Sequence, residues 1–293
     1  MKFEFERALP VREPYRLDLT ADALRRLAAN AVDVLSPDGE YSRVLEDASG
    51  RNVIAVRQHE PSAIHVRIAG SNAERWLPAI TRMLGTEVDL DLWYRRVRAL
   101  PWLERISGEL RGLRPPRYPS LWEALAHAIV FQQISIHAAA AIMGRAIVLL
   151  STPLEQGGMR MYPFPAPERL LAAKDADLRA AGLSANKVAH LRSAASSILE
   201  NRLVEKRLAQ MSTPEAAAAL CAVRGIGPWS AAVVLLRGMG RLDVFPLRDS
   251  GVARTIRVLS GDPEIDLNAV LETLGPQRGM LYFHLLLGRL RGL

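Results

Sequence analysis

The sequence predicts an α+β protein, a small mixed domain of antiparallel sheet and helix followed by an all-helical body of two lobes. Three observations predict it. Alternation of apolar and polar residues, the period of a half-buried strand, is confined to the first hundred residues, and Ile64-His65-Val66-Arg67-Ile68 is its clearest instance. Beyond about residue 90 the chain reads as short apolar-faced segments that open on Ser, Thr or Pro. A chain of 293 residues also exceeds what one core usually holds. The expected division is residues 1–90 for the mixed domain and 91–293 for the helical body.

In the first domain, Thr20 is placed to cap a helix whose Leu24, Leu27, Ala28, Ala31 and Leu35 share one face. Arg51–Arg57 and Ile64–Ile68 read as two strands joined antiparallel through a Glu60-Pro61-Ser62 turn. Ser71 and Glu74 have capping-box spacing ahead of Trp76 and Leu77, with Pro78 positioned to kink that helix. In the body, the stiff Pro115-Pro116-Arg117-Tyr118-Pro119 break leads to a Ser120/Glu123 capping box and a helix through Leu125, Ala128 and Ile129. Gln132 and Gln133 fall at its end, and Ser135 caps the next, Ala-rich helix. Further starts are predicted at Pro167, at Ser184 and at Thr213-Pro214-Glu215.

The balance of charge is basic, 38 Lys+Arg against 31 Asp+Glu, and Arg supplies most of the positive side. A net charge of +7 fits a polyanionic partner, although mild basicity is common among soluble proteins. Cys221 is the only cysteine, which excludes an intramolecular disulfide, a cysteine-built zinc site and a cysteine-ligated cluster, and points to a reducing compartment. The N-terminus MKFEFERALP has no apolar core of the secretory kind, and apolar runs such as Ala231–Leu236 are too short to span a membrane. The expectation is a cytoplasmic monomer, nucleoid-associated if bacterial, with no metal site, since the six histidines are scattered.

The densest chemistry lies between Leu220 and Asp249. Gly225-Ile226-Gly227 separates two helix-like segments, within a hairpin unit at 214–238. Glycines there allow positive φ and bare backbone, and Pro228 at the start of the second helix leaves its first N–H groups facing the hairpin. An anion would gain hydrogen bonds and the favourable end of a helix dipole. The bland reading is a turn that merely joins helices. Asp249 precedes a plausible helix, Ser250–Ile256, and would ordinarily be its N-cap. The apolar Asp243-Val244-Phe245-Pro246-Leu247 segment before it looks like a buried connection fixing that helix start against the hairpin. Hairpin and carboxylate together suggest an enzyme that holds DNA and acts on it with one acid group.

From about Ser120 to Arg278 the chain resembles the helix–hairpin–helix DNA glycosylases, most of all the AlkA-type 3-methyladenine enzymes. The residues that carry this are Ala128-Ile129-Val130-Phe131-Gln132-Gln133-Ile134-Ser135, Phe164-Pro165 with Pro167-Glu168, Ala181-Gly182-Leu183-Ser184 with Lys187, Val223 through Ala231, and Asp243-Val244-Phe245-Pro246 leading to Asp249. The resemblance implies a TBP-like N-terminal domain, duplex DNA with damaged bases as partner, and an active-site cleft between two helical lobes. It implies Asp249 as the catalytic carboxylate. Gly225, Ile226, Gly227 and Ser230 would bind DNA phosphate, and Gln133 would fill the gap left by the extruded nucleotide. Trp229 stands where strand-cutting relatives carry a Schiff-base lysine, so a monofunctional glycosylase without lyase activity is implied. Trp229 is then either a wall of the base pocket or plain packing. No cofactor is expected, apart from a monovalent cation that the family implies at the hairpin carbonyls.

The chemistry is consistent with one carboxylate. Breaking an N-glycosidic bond puts positive charge on the deoxyribose, and a fixed anion about 4 Å away is worth about 4 kcal/mol at an effective dielectric near 20. That corresponds to roughly a thousandfold in rate. The C-terminal segment departs from the family pattern: Leu274-Gly275-Pro276-Gln277-Arg278-Gly279 lacks its tryptophan, and Leu286 stands where an aromatic is usual. The expected reaction is hydrolytic removal of alkylated bases from duplex DNA. The alternatives are a glycosylase of this fold for oxidised or deaminated bases, and a non-catalytic hairpin protein that binds DNA.

Overall fold

The computed structural model describes residues 2–27, 30–156, 158–247 and 250–293, and of residue 250 the backbone alone. The N-terminal sheet has five strands, β1 (Phe5–Pro10), β2 (Val34–Leu35), β3 (Tyr41–Asp47), β4 (Gly50–Glu60) and β5 (Ala63–Ala69), in the order β1-β5-β4-β3-β2. All four pairings are antiparallel. The predicted hairpin is β4–β5, with Val66 opposite Val56 and Ile68 opposite Ile54. Its alternation works as expected: Ile64, Val66 and Ile68 are fully buried, whereas His65 and Arg67 on the other face are half-buried.

Two helices differ from their predicted bounds. Helix α1 (Leu17–Arg25) starts before Thr20 and ends ten residues short of Leu35, which lies in β2. Thr20 is therefore not a cap; its hydroxyl donates to the Arg16 carbonyl within the helix and accepts from the Arg114 N–H. The helix ends because Asn30 builds a competing turn. Its amide donates to the Arg25 carbonyl, and its Oδ1 accepts from the N–H groups of Val32 and Asp33. Ala28 lies outside the described residues. Helix α2 (Leu77–Leu84) is not kinked by Pro78, which sits in its first turn and opens it. The Ser71/Glu74 box does not form, because Ala73–Trp76 is a 3₁₀ turn and Glu74 pairs with Arg7 at 2.8 Å.

The body comprises α3 (Asp91–Arg96), α4 (Pro101–Glu109), α5 (Leu121–Val130), α6 (Ile136–Leu150), α7 (Pro167–Ala172), α8 (Asp175–Ala180) and α9 (Ala185–Leu199). It continues with α10 (Glu205–Gln210), α11 (Thr213–Cys221), α12 (Pro228–Arg237), α13 (Ser250–Ser260), α14 (Leu267–Leu274) and α15 (Gly279–Arg291). One short ladder, β6 (Leu154–Gln156) with β7 (Met159–Met161), interrupts the helices. Three residues per strand are too few for a period to be legible. Ser120, Ser135 and Ser184 cap α5, α6 and α9 by accepting the backbone N–H three residues on. The reciprocal box that caps α11 is Ser212 with Glu215.

Two apolar clusters define two lobes. The first joins the sheet to α5, α6, α9, α11 and α12, and the second joins α3, α4, α13, α14 and α15. Helix α1 lies between them, giving Ala21 and Leu24 to the first and Leu19 and Ala23 to the second. Arg237 at the end of α12 is wholly buried and donates to the Ala23 and Leu24 carbonyls, which ties α12 to α1.

Sheet and body also share a buried ion network. Arg43 of β3 lies between Asp33, at 2.8 Å, and Glu123 of α5, and Tyr41 donates to Asp33 at 2.7 Å. All three charged side chains are at most 2% exposed. This is why Glu123 does not complete the Ser120 box. Burial pushes the Glu123 carboxyl above its usual range, against the pull of Arg43. Arg43→Met, which strands two buried carboxylates, is predicted to lower unfolding free energy by about 3–5 kcal/mol in urea denaturation, and adding Glu123→Leu and Asp33→Leu is predicted to recover much of the loss.

Candidate active site and nucleic-acid interface

The hairpin connects α11 to α12. Leu220, Val223 and Ile226 are buried and fix its inner side, while Arg224 is exposed. Gly225 has φ +88, a backbone state that L side chains rarely adopt. A Cβ there would also lie 2.1 Å from Cγ of His190, so the imidazole of α9 forms the floor of the hairpin. Burial, with the Arg224 guanidinium next in effect, holds His190 below the usual imidazole range.

Gly227 differs from the sequence-based expectation. Its φ is −95 rather than positive, and it serves as the extended N-cap of α12. Nothing lies within 4 Å of where its Cβ would be. Gly227 thus leaves open space above the backbone at a helix start, where the first N–H groups have no acceptor within the helix. A group approaching from solvent meets bare backbone and the positive end of the dipole.

Ser230 is turned inward. It is 2% exposed, and its Oγ accepts from Nε2 of Gln132 at 2.6 Å, so its hydroxyl does not face solvent. The same Nε2 donates to the Gly225 carbonyl at 2.8 Å. Gln132, which the sequence places at the end of α5, thereby joins two segments 93 residues apart. A monovalent cation at the hairpin would need its carbonyl oxygens, of which Val223 accepts from the Ile226 N–H, Gly225 from Gln132 and Gly227 from the Ala231 N–H.

Gln133 is exposed and stands at φ +59 in the turn between α5 and α6, followed by exposed Ile134. A non-glycine residue in the left-handed region is held there by its surroundings. Ser135 caps α6 on one side. On the other, Lys187 of α9 donates through Nζ to the carbonyls of Val130, at 2.6 Å, and Gln132, at 3.1 Å. Phe131 is gripped between the Arg26 guanidinium, 4.3 Å from its centroid, and the ring of His127 at 5.6 Å.

Trp229 is half-buried and packs against the first lobe's core. Asp249 and Arg248 lie outside the described residues; α13 begins at the next position, Ser250. The connection leading there is anchored only in part, since Leu247 at its end is 47% exposed. Phe245 packs into the second lobe, Val244 against the first, and Asp243 accepts from Thr213 at 2.7 Å. Of the C-terminal aromatics, Phe283 is fully buried, and Tyr118, Tyr282 and Phe283 surround the Arg237 guanidinium with centroids 4.9, 6.0 and 5.7 Å away.

In the sequence Lys187 stands within a motif without a role of its own, and His190 carries no mark of one. A signal for Lys187 existed: it is the third residue of α9, where a cation faces the unfavourable end of the helix dipole. Such a residue needs a partner elsewhere. His190 had no comparable mark, because a histidine one turn further on reads as ordinary.

This hairpin, packed on a helical body with a mixed sheet domain, defines a helix–hairpin–helix protein. The family model for the HhH-GPD superfamily base excision DNA repair protein matches residues 126–274, just over half of the chain, and the chain belongs to that superfamily. It is 29% identical over 171 residues to the DNA-3-methyladenine glycosylase of Bacillus subtilis, covering 58% of this chain and 56% of that one. It is 29% identical over 255 residues to the probable bifunctional transcriptional activator/DNA repair enzyme AlkA of Mycobacterium tuberculosis, covering 83% of this chain and 49% of that one. The chain therefore spans about half the length of these curated relatives. The fold is that of the 3-methyladenine DNA-glycosylase of Archaeoglobus fulgidus, with TM-score 0.82, 24% identity, and 97% of this chain and 98% of that chain covered.

The two hairpin glycines are predicted to respond differently. Gly225→Ala should displace His190 and lower the thermal midpoint by several degrees, the strain being about 1–3 kcal/mol. Gly227→Ala, at ordinary φ with open space, should leave the midpoint within about 2 °C. Differential scanning fluorimetry of the two variants checks both.

Proposed function

We propose that this protein is a monofunctional DNA glycosylase of base excision repair that extrudes alkylated bases of the 3-methyladenine type from duplex DNA and hydrolyses their glycosidic bonds. The observation that carries the reading is one surface feature: an open helix start at Gly227, bonded through Gln132 to the turn that exposes Gln133. One segment suits a backbone phosphate and the other suits the space of an extruded nucleotide. Kinship to proteins named as 3-methyladenine glycosylases supports the choice of lesion.

In this reading the duplex lies against the hairpin, whose backbone N–H groups grip one phosphate while the basic surface neutralises others. Gln133 enters the stack as the nucleotide leaves, and its amide hydrogen-bonds the orphaned base. Asp249 is the catalytic carboxylate of this reading: its charge stabilises the oxocarbenium-like transition state and orients the attacking water. Ser230 contributes its position at the helix start rather than its hydroxyl. Trp229 has no amine, so no Schiff base and no strand cleavage follow. An alkylated base already carries positive charge and leaves without a general acid.

One observation favours a second lesion class. The C-terminal aromatics lie around Arg237, so fewer rings are left to stack on a cationic base. A neutral oxidised or deaminated base is the alternative substrate in the same site.

Asp249→Asn is predicted to cut single-turnover release of free base from methylated duplex DNA by about a thousandfold. Affinity for the same duplex should stay within a few-fold. Release that persists in the variant would remove Asp249 from the chemistry, and release by wild type only from oxidised or deaminated duplexes would transfer the function to the second class.

A further inference from the structure

We infer that Lys187 is a positioning residue for base extrusion: from the first turn of α9 it locks the turn that presents Gln133, and so lets that side chain hold an opened duplex. The inference rests on the proposed function and adds a residue to its machinery.

The argument begins with the placement of charge. Lys187 is the third residue of α9, where its ammonium opposes the helix dipole and where helices ordinarily favour an acid. Partial burial lowers its pKa as well. Neither effect favours a lysine for the sake of α9. Both are offset at the far end of the side chain, because Nζ reaches the C-terminal end of α5, where helix carbonyls lack their own donors. There it binds the carbonyls of Val130 and Gln132, the residues on either side of Phe131.

The bonded backbone is the base of the wedge. Gln133 follows directly, exposed and at φ +59, with no hydrogen bond of its own side chain among the described residues. A side chain that replaces a nucleotide must resist the tendency of the duplex to restack. The Gln132 amide and the Phe131 stack hold the start of this turn, and Lys187 adds charge-assisted bonds to the carbonyls just before Gln133. Lys187 connects the turn to α9, whose next turn carries His190, the floor of the hairpin. Phosphate grip and wedge are thereby both referred to one helix, and Gln132 closes the triangle from the wedge side.

The test uses the full chain, Lys187→Met and Lys187→Arg, and a duplex with a tetrahydrofuran abasic site opposite 2-aminopurine. Unstacking by the wedge raises the fluorescence of the probe. Wild type and Lys187→Arg, which keeps charged donors, should give the full rise at saturation. Lys187→Met should lower the amplitude at least about tenfold, the scale of a lost charge-assisted bond, with affinity for undamaged duplex nearly unchanged. Released base is measured in parallel from methylated duplex and methylated single strand. The loss in Lys187→Met should fall on the duplex, since a single strand needs no wedge. Equal fluorescence in all three proteins, or equal losses on duplex and single strand, overturns the assignment. If wild type unstacks the probe but releases no methylated base, the proposed lesion fails while the fluorescence still decides Lys187. Wild type that never unstacks the probe overturns both.

Discussion

One amide nitrogen, Nε2 of Gln132, ties the turn after α5 to the hairpin before α12, donating to the Gly225 carbonyl and the Ser230 hydroxyl. Each segment alone is an ordinary helix connection. Bonded together they form a surface with two chemically different parts at a fixed separation: an open helix start that suits an anion, and an exposed polar side chain on a stiff turn. Much of the surrounding packing serves this arrangement. Helix α9 supports the hairpin through His190 and the turn through Lys187, and the Arg26–Phe131–His127 stack also holds the turn.

The N-terminal domain takes part in this at a distance. Its β3 strand sends Arg43 into α5 at Glu123, one turn before His127 and two before the helix ends in the turn. A buried ion pair adds little net stability compared with apolar packing, but it tolerates only one arrangement of its partners. It therefore fixes where α5 lies against the sheet. Arg237 does the same for α12 against α1 with carbonyl acceptors. In both cases a guanidinium bridges elements that apolar contact alone would leave free to slide.

The sequence revealed the parts of this plan that depend on local rules. Ser120, Ser135 and Ser184 cap helices where their spacing indicated, and Ile64–Ile68 forms the strand its alternation requires. Local rules failed where a distant partner took the group they relied on. Glu123 is drawn from its capping box by Arg43, Glu74 by Arg7, and the Ser230 hydroxyl is taken by Gln132. Helix α1 is shorter than its apolar stripe suggests because Asn30 offers the backbone a turn that period counting does not weigh. At Gly227 the expected positive φ is absent: the residue is extended at φ −95, and what it offers is open space above the backbone. The role of Lys187 needed the structure, because its acceptors lie more than fifty residues away in sequence.

The central claim is that residues 131–135 and 224–230 form one DNA-binding face, and hydrogen–deuterium exchange of the protein with and without an abasic-site duplex tests it most directly. The account predicts slowed exchange in both segments together, extending into the first turns of α9 and α12, with little change at the outer strands β1 and β2. Protection in only one of the two segments, or protection confined to the N-terminal sheet, would contradict it.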